Sequence, residues 1–179
     1  KTNFVFDFMP DAHGNMWFYL RDNSAYVSIK NKKVGSLGPE QGYNGGAVDV
    51  FSDKKERIWL ISNDTVTIYD PKLSRIKKMV TASKVFTNFP TSGMKGNDGL
   101  IWMGTSNDGV LMLDPGGLLS DHFTVKDGLE STDFWGVQED SKGRMLFSSY
   151  NGLHIYNPAT QRVSVLNFPA KIGAIRNNN

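Results

Sequence analysis

The sequence contains no cysteine, which excludes disulfide bonds and thiolate metal sites. It has no apolar run near the roughly 18 residues that a membrane-spanning helix needs. Its 20 basic and 18 acidic side chains leave a formal net charge of +2, and no basic stretch is long enough to follow a nucleic-acid backbone. We therefore expect neither a nucleic-acid partner nor direct membrane contact. The chain starts at Lys1 without a signal peptide, so we expect a segment of a longer protein whose membrane anchor lies elsewhere.

Glycine and phenylalanine are plentiful by contrast, with 18 and 11 residues, and apolar segments recur in a repeating pattern. Four eight-residue segments align without gaps, and their shared anchor position carries Trp17, Trp59, Trp102 and Leu146. Successive anchors are 42, 43 and 44 residues apart. The aligned segments are HGNMWFYL (13–20), KERIWLIS (55–62), DGLIWMGT (98–105) and KGRMLFSS (142–149).

Short apolar runs flank each anchor segment and predict four β-strands per unit. The runs ahead of the anchors are 3–8, 46–51, 84–89 and 133–138. The runs behind them are 24–29, 65–71, 109–115 and 152–158, followed by fainter ones at 75–80, 118–125 and 162–168. Asn-Gly and Asp-Gly pairs favour tight turns, and no helix longer than a turn or two is predicted.

Four-stranded units at this spacing are typical of β-propeller blades. A single blade cannot bury both of its faces, whereas blades stacked around an axis cover each other, with the anchor tryptophans filling the layers between them. The sequence therefore predicts an all-β propeller segment over 1–179, made of four four-stranded antiparallel blades. Their expected boundaries are 3–37, 46–80, 84–125 and 133–168, with 169–179 as a tail or the start of another blade.

The segment 98–115 combines Gly-Leu-Ile-Trp-Met-Gly-Thr with a second glycine and a closing Asp-Pro, and it resembles the two-component-regulator propeller repeat. Similar motifs begin at Asp11 and Asp140, so the resemblance extends over most of the chain. The sequence departs from the pattern at Glu56, where glycine is usual, and at Leu146, where tryptophan is usual. The first unit also lacks the closing Asp-Pro.

This resemblance implies a periplasmic sensor region of a hybrid two-component sensor histidine kinase, the extracytoplasmic part of an inner-membrane protein. It implies a non-catalytic role in signal transduction, no cofactor, and carbohydrate fragments as the sensed ligand. Propellers of that family usually have seven blades, so these four would form an arc of a larger ring. An open arc leaves two apolar faces bare, and we expect a homodimer or other self-association through those faces.

Asp11, Asp53 and Asp140 each stand six residues before an anchor and are the recurrent carboxylates of the sequence. Recurrence at one blade position predicts a residue that caps a turn by accepting backbone hydrogen bonds, rather than a catalytic group. His13 and His154 stand at unrelated positions of different units, as does His122. We therefore predict no metal site and no catalytic centre.

Residues that break the repeat are the better candidates for ligand binding. Aromatic rings suit the C–H faces of a sugar, and neighbouring Asp and Asn side chains suit its hydroxyls, particularly in loops at one end of a propeller. The other interpretation of Trp135 is a core aromatic residue, because aromatic side chains tend to pack inside. The candidate ligand-binding residues are Trp135, Phe134, Asp133, Tyr43, Asn44 and Tyr150.

Two other functions compete with a ligand sensor. Lyases of the streptogramin B lyase type have similar short-repeat propellers, with an acidic and histidine site over the channel. The scatter of the three histidines speaks against that mechanism here. The third possibility is a protein-interaction scaffold without a small ligand, which a screen of oligosaccharides would distinguish from a sensor.

Overall fold

The computed structural model describes residues 5–11, 13–20, 25–28, 32, 34–43, 47–62, 65–81 and 88–167, which form four four-stranded antiparallel sheets. Blade 1 contains β1 (Val5–Pro10), β2 (Met16–Leu20), β3 (Ala25–Ser28) and β4 (Val34–Leu37). Blade 2 contains β5 (Ala47–Ser52), β6 (Ile58–Ser62), β7 (Thr65–Asp70) and β8 (Arg75–Thr81). Blade 3 contains β9 (Pro90–Lys95), β10 (Ile101–Thr105), β11 (Val110–Leu113) and β12 (Leu119–Phe123). Blade 4 contains β13 (Gly136–Glu139), β14 (Met145–Ser149), β15 (Gly152–Asn157) and β16 (Arg162–Leu166).

Within each sheet, every strand pairs with its neighbour in sequence, which is the strand order of a propeller blade. The first strands β1, β5, β9 and β13 pack against one another in chain order, so they form the inner rim of the arc. Two short 3-10 turns, Pro39–Gln41 and Val125–Asp127, precede blades 2 and 4. In the described ranges, no helix has the length and apolarity that a membrane crossing requires. The predicted all-β fold of propeller blades is confirmed.

Three hydrophobic layers join the blades, one at each junction, and each contains one anchor tryptophan. The three tryptophans occupy equivalent positions in β2, β6 and β10 and expose only 1, 0 and 1% of their surface, as predicted. Each packs toward the second strand of the following blade. The groups are Trp17 with Ile58 and Leu60, Trp59 with Ile101 and Met103, and Trp102 with Met145 and Phe147.

The second strands differ in burial because they differ in how many faces are covered. β6 and β10 are buried along their whole length, since another blade lies on each side. In β14, Met145 and Phe147 are buried toward blade 3, while Leu146 between them is only half-buried. Leu146 occupies the anchor position, which points away from blade 3, and none of the described blades covers that side.

The first strand of blade 3 is not where the apolar run predicted it. The prediction placed this strand at 84–89, whereas the structure forms β9 at Pro90–Lys95. Residues 84–87 lie outside the described residues, and Asn88 and Phe89 precede the strand. The polar sequence PTSGMK forms a strand because it pairs with β10 and packs closely on blade 2. A Cβ on Gly93 would lie 2.9 Å from Cε1 of Phe51, so a small residue is required there.

Gly109→Ala is expected to destabilise the chain more than Gly99→Ala does. Both glycines have positive φ, +72° and +91°, so each alanine incurs a conformational cost of about 1–2 kcal/mol. At Gly109 the new Cβ would also lie 2.1 Å from the carbonyl oxygen of Phe123, whereas Gly99 has open space around it. The overpacking should add about 1–3 kcal/mol at Gly109. Urea unfolding of both variants measures the difference, and equal losses would contradict the close approach.

Candidate ligand-binding face

The strand order sorts the loops onto two ends of the arc. Turns between first and second strands, and between third and fourth strands, lie at one end, which we call the capped end. Turns between second and third strands lie at the opposite end together with the connections between blades, and we call this the connection end. The recurrent aspartates belong to the capped end, while the five candidate ligand-binding residues that the structure describes belong to the connection end.

At the capped end, Asp53 closes the turn between β5 and β6. Its Oδ1 accepts the backbone N–H groups of Lys55 and Arg57 at 2.8 and 3.0 Å. Its Oδ2 accepts hydrogen bonds from Nε of Arg57 at 2.7 Å and from the indole Nε1 of Trp59 at 3.0 Å. The carboxylate therefore holds both the turn and the anchor ring of its blade.

The other recurrent aspartates repeat this arrangement. Asp11 accepts the backbone N–H of Asn15 at 2.8 Å and the indole Nε1 of Trp17 at 3.0 Å. Asp140 accepts the backbone N–H and the Nε of Arg144 at 2.9 and 2.7 Å, in the blade where leucine replaces the anchor tryptophan. The prediction that these three aspartates cap turns is confirmed.

In blade 3 a carboxylate also binds the turn and the anchor indole, but this aspartate, Asp98, stands two residues later in the sequence. Gly96 occupies the position of the recurrent aspartate, and a Cβ built there would lie 2.6 Å from Oδ1 of Asp98. The carboxylate of Asp98 therefore fills the space that the missing side chain leaves. Its Oδ1 accepts the backbone N–H of Leu100 at 2.9 Å, and its Oδ2 accepts the indole Nε1 of Trp102 at 3.3 Å.

The protonation of these carboxylates fits a structural role. Burial opposes the ionisation of Asp53, but hydrogen bonds from Trp59 and Arg57 outweigh it and hold the pKa below the usual 3.8. Burial is likewise outweighed by hydrogen bonds from Asn15 and Trp17 at Asp11, whose pKa is also lowered. Such groups contribute stability that is complete above the unfolded-state pKa and is lost as the pH falls through the folded value. They remain ionised near neutrality and do not serve as proton donors.

At the connection end, Trp135 and Tyr150 form an exposed pair that we call the aromatic pair. Trp135 directly precedes β13, and its backbone N–H donates to the carbonyl of Ser148 at 2.9 Å. Tyr150 lies in the turn between β14 and β15. Their ring centroids are 5.9 Å apart at an interplanar angle of 72°, with 52 and 77% of the two residues exposed. The structure thus places Trp135 at the surface rather than in the core.

Asp133 reaches from the same connection to the neighbouring blade. Its Oδ1 accepts the Oγ hydroxyl of Ser106 at 3.2 Å and the backbone N–H of Asn107 at 3.1 Å, both in the turn between β10 and β11. Within the described part of the chain, its Oδ2 accepts no hydrogen bond. A half-buried carboxylate oxygen therefore lies two residues from Trp135 and retains acceptor capacity.

The remaining candidates do not join this surface. The ring of Phe134 is buried between blades 3 and 4, and it contacts Phe147 edge-on at 6.1 Å between centroids. Tyr43 is buried in the layer between blades 1 and 2. Asn44 lies outside the described residues. The aromatic pair and Asp133 are thus the candidates that the structure brings to one exposed face.

Sequence reasoning missed the residues of blade 3 that complete this face. Ser106 and Asn107 are not among the predicted ligand-binding residues, yet they hold Asp133. Phe89, which the prediction placed in a strand, is 60% exposed, and its carbonyl accepts the N–H of Ser106 at 2.8 Å. The signal was present in the topology, because the middle turn of one blade and the connection to the next blade lie at the same end.

The chemistry available at this face is that of noncovalent binding. Its aromatic rings can stack on a ligand, and its carboxylate and carbonyl oxygens can accept hydrogen bonds from hydroxyl groups. Among the described residues, no cluster of three or more His, Asp and Glu side chains is arranged to hold a metal ion. The His122 Nε2 atom instead lies 2.6 Å from the carbonyl oxygen of Asp108 and 3.3 Å from its Oδ1.

Comparison with known proteins supports the architecture. No family model matches the chain, and no curated protein matches its sequence. Solved structures do resemble it, including the extracellular domain of a protein from B. thetaiotaomicron described as a hybrid two-component system (TM-score 0.72, 16% identity, 92% of this chain covered). Virginiamycin B lyase from Staphylococcus aureus gives a TM-score of 0.76 at 12% identity over 93% of the chain. The WD40 propeller domain of Doa1 gives 0.68 at 16% identity over 88%.

These likenesses establish the propeller fold, and they also show how much of each structure the chain represents. It spans 25% of the length of the two-component extracellular domain, 56% of the lyase and 51% of the Doa1 domain. Sensor domains and an enzyme therefore share the same arrangement of blades, and the fold alone does not distinguish their functions.

Proposed function

We propose that this chain is a ligand-binding propeller segment from the extracytoplasmic, periplasmic sensor region of a two-component signalling protein. We further propose that its ligand is a carbohydrate fragment bound at the aromatic pair, and that the segment itself is non-catalytic. The observation that supports the proposal best is the exposed edge-to-face contact of Tyr150 with Trp135, which lies two residues after Asp133 in the chain.

The chemistry of this face suits a sugar. Two rings nearly perpendicular to each other offer two apolar surfaces to the C–H faces of neighbouring sugar units. The Oδ2 atom of Asp133 can accept a hydrogen bond from a sugar hydroxyl. Exposed aromatic rings on a soluble domain are also typical of an interaction site, because their apolar surface gains from being covered.

Trp135→Ala and Tyr150→Ala are each expected to weaken oligosaccharide binding by about tenfold or more, since each removes one stacking surface. The measurement is isothermal titration of the complete sensor domain with a panel of neutral and acidic oligosaccharides. Phe8→Ala is the matched control, because it removes another exposed ring, 60% accessible, on β1 of blade 1. Its affinity should equal that of the unmodified protein.

The panel also separates this proposal from a protein-interaction scaffold. Binding that the two aromatic variants leave unchanged would move the ligand site away from the aromatic pair. If no oligosaccharide of either class binds the complete domain, carbohydrate sensing is wrong and a scaffold role is favoured.

A lyase activity is the second candidate, and the likeness to virginiamycin B lyase supports it. The discriminating measurement is turnover of a streptogramin B antibiotic, followed by chromatography of the ring-opened product. We expect no turnover, because His122 contacts Asp108 of its own blade and His154 is buried. Product formation above the uncatalysed rate would establish the lyase instead.

A further inference from the structure

His154 is a fully buried histidine that the proposed binding face does not contain. It lies in β15 on the side of blade 4 that packs toward blade 3, and 0% of its surface is exposed. Its partners in register are Phe147 on β14 and Val165 on β16, neither of which is polar. Burying an imidazole in such a layer is costly unless its nitrogens are hydrogen-bonded.

The imidazole is bonded to the connection that leads to the aromatic pair. The backbone N–H of Glu130 donates to Nε2 of His154 at 3.0 Å. The ring of Phe134 stands edge-on to the imidazole, with centroids 5.0 Å apart at 80°. His154 thus contacts both ends of the segment 130–134, and Trp135 is the next residue.

A second hydrogen bond ties the backbone of the same residue, Glu130, to the turn that carries the other half of the aromatic pair. The side-chain Nδ2 of Asn151 donates to the carbonyl oxygen of Glu130 at 2.7 Å. Asn151 directly follows Tyr150 in the turn between β14 and β15. The backbone N–H of Glu130 is therefore held by His154, and its carbonyl is held by the turn that carries Tyr150.

The bond from Glu130 requires one particular form of the histidine. Because Nε2 accepts a hydrogen bond, the neutral imidazole must carry its own hydrogen on Nδ1. Protonation would add a hydrogen to Nε2, so that both ring nitrogens carry one, and the new N–H would point at the N–H of Glu130. Two donors cannot share the bond, so the charged form of His154 would release this end of the segment.

We propose that His154 is the positioning residue of the aromatic pair, whose neutral imidazole fixes the connection at Glu130 and whose protonation releases it. The expected change in ligand affinity rests on the proposed function, whereas the displacement of Trp135 does not. Acidification should displace Trp135 first and weaken binding as a consequence.

The charges around the imidazole support this assignment. Burial lowers the pKa of His154 from the usual 6.5, and the nearby Glu130 carboxylate opposes that shift. The strands on either side present Phe147 and Val165, and Phe134 covers the imidazole from the connection. On blade 3, His122 of β12 pairs with Asp108, and the turn that contains Asp108 also bonds to the segment at Thr132 and Asp133. His122 is therefore a second histidine that contacts the turn holding this segment.

The test uses fluorotryptophan-labelled protein and 19F NMR without any ligand. Trp135→Phe assigns the Trp135 resonance among the four tryptophans. In the unmodified protein this resonance should shift on acidification with a midpoint below 6.5, while those of Trp17 and Trp59 stay in place. His154→Gln, which keeps an acceptor for Glu130, should hold the neutral-state position at every pH. His154→Leu should show the displaced position throughout.

His122→Gln is the matched control, since it removes the other histidine near the segment. The titration should persist in this variant. A flat Trp135 resonance in the unmodified protein would overturn the proposal, and so would a titration that His154→Gln retains or that His122→Gln abolishes. If His154→Leu does not fold, the comparison with His154→Gln still decides the result.

Oligosaccharide affinity provides a separate measurement. An oligosaccharide that binds at neutral pH should bind about fivefold or more weakly after His154 is protonated, and His154→Gln should remove this dependence. If the Trp135 resonance titrates but no oligosaccharide binds, the positioning role stands and the proposed function fails. If binding occurs at the aromatic pair without any titration, the positioning role fails alone.

Discussion

Trp102→Ala is expected to lower the free energy of unfolding by about 3–5 kcal/mol, the usual range for deleting a large aromatic side chain from a packed core. Trp102 lies in the layer between blades 3 and 4, where its ring contacts Phe123, Phe147 and Tyr156 at centroid distances of 5.5, 5.9 and 5.5 Å. The substitution also leaves Asp98 without its indole partner. The loss should appear in chemical denaturation as a lower midpoint with an unchanged slope.

Trp135→Ala is the matched control, because it deletes the same side chain from an exposed position. We expect a change within about 0.5 kcal/mol, as for most surface substitutions. Comparable losses for the two variants would mean that the tryptophan layer does not hold blades 3 and 4 together. A large loss confined to Trp135→Ala would place that residue in the core.

Asp53→Ala is expected to cost about 3–5 kcal/mol, because it removes one partner of a buried ion pair and leaves the Arg57 charge without its counterion. The Asp53 side chain is closed to solvent, and Nη2 of Arg57 lies 2.6 Å from its Oδ2. The indole N–H of Trp59 and two backbone N–H groups of the turn lose the same acceptor. Thermal and urea unfolding at neutral pH would measure the loss, since the carboxylate is ionised there.

Asp140→Ala supplies the comparison for this prediction. Asp140 caps the equivalent turn and pairs with Arg144, but its side chain is partly exposed, and the indole that Asp53 binds is replaced by Leu146. Solvent can satisfy the groups that this substitution frees, so its cost should be clearly smaller. If Asp140→Ala were as damaging as Asp53→Ala, the tryptophan contact would not be what distinguishes the turns.

The parts of the fold that the sequence predicted are those where one residue type must recur. The anchor tryptophans fill equivalent layers at spacings of 42 and 43 residues, and two of the recurrent aspartates, Asp11 and Asp53, bind the indole nitrogens of the tryptophans six residues after them. The position of strand β9 was predicted wrongly because its sequence, PTSGMK, is not an apolar run. It forms a strand through its contacts with the neighbouring strands. Local composition does not contain that information.

The candidate site was harder to predict, because exposure within one short segment is set by tertiary contacts. Phe134 and Trp135 are adjacent aromatic residues, yet one is buried against His154 and the other faces solvent. The hydrogen bond from the N–H of Phe134 to the carbonyl of Thr105 holds Phe134 against blade 3. No pattern in the sequence distinguishes the two. The role of His154 required the same contacts to become visible.

The pairing of strands only with their neighbours in sequence has a consequence for biosynthesis. A ribosome extends a chain by about 5–20 residues per second, so a blade can complete its hydrogen-bonded ladder within seconds of leaving the exit tunnel. The face that carries its tryptophan stays exposed until the second strand of the following blade has been synthesised. Trp17, for example, is covered only once Ile58 and Leu60 of β6 are in place. A nascent chain of this design therefore exposes two open blade faces, one at each end of the growing arc, and adding further blades does not enlarge the apolar surface that chaperones must cover.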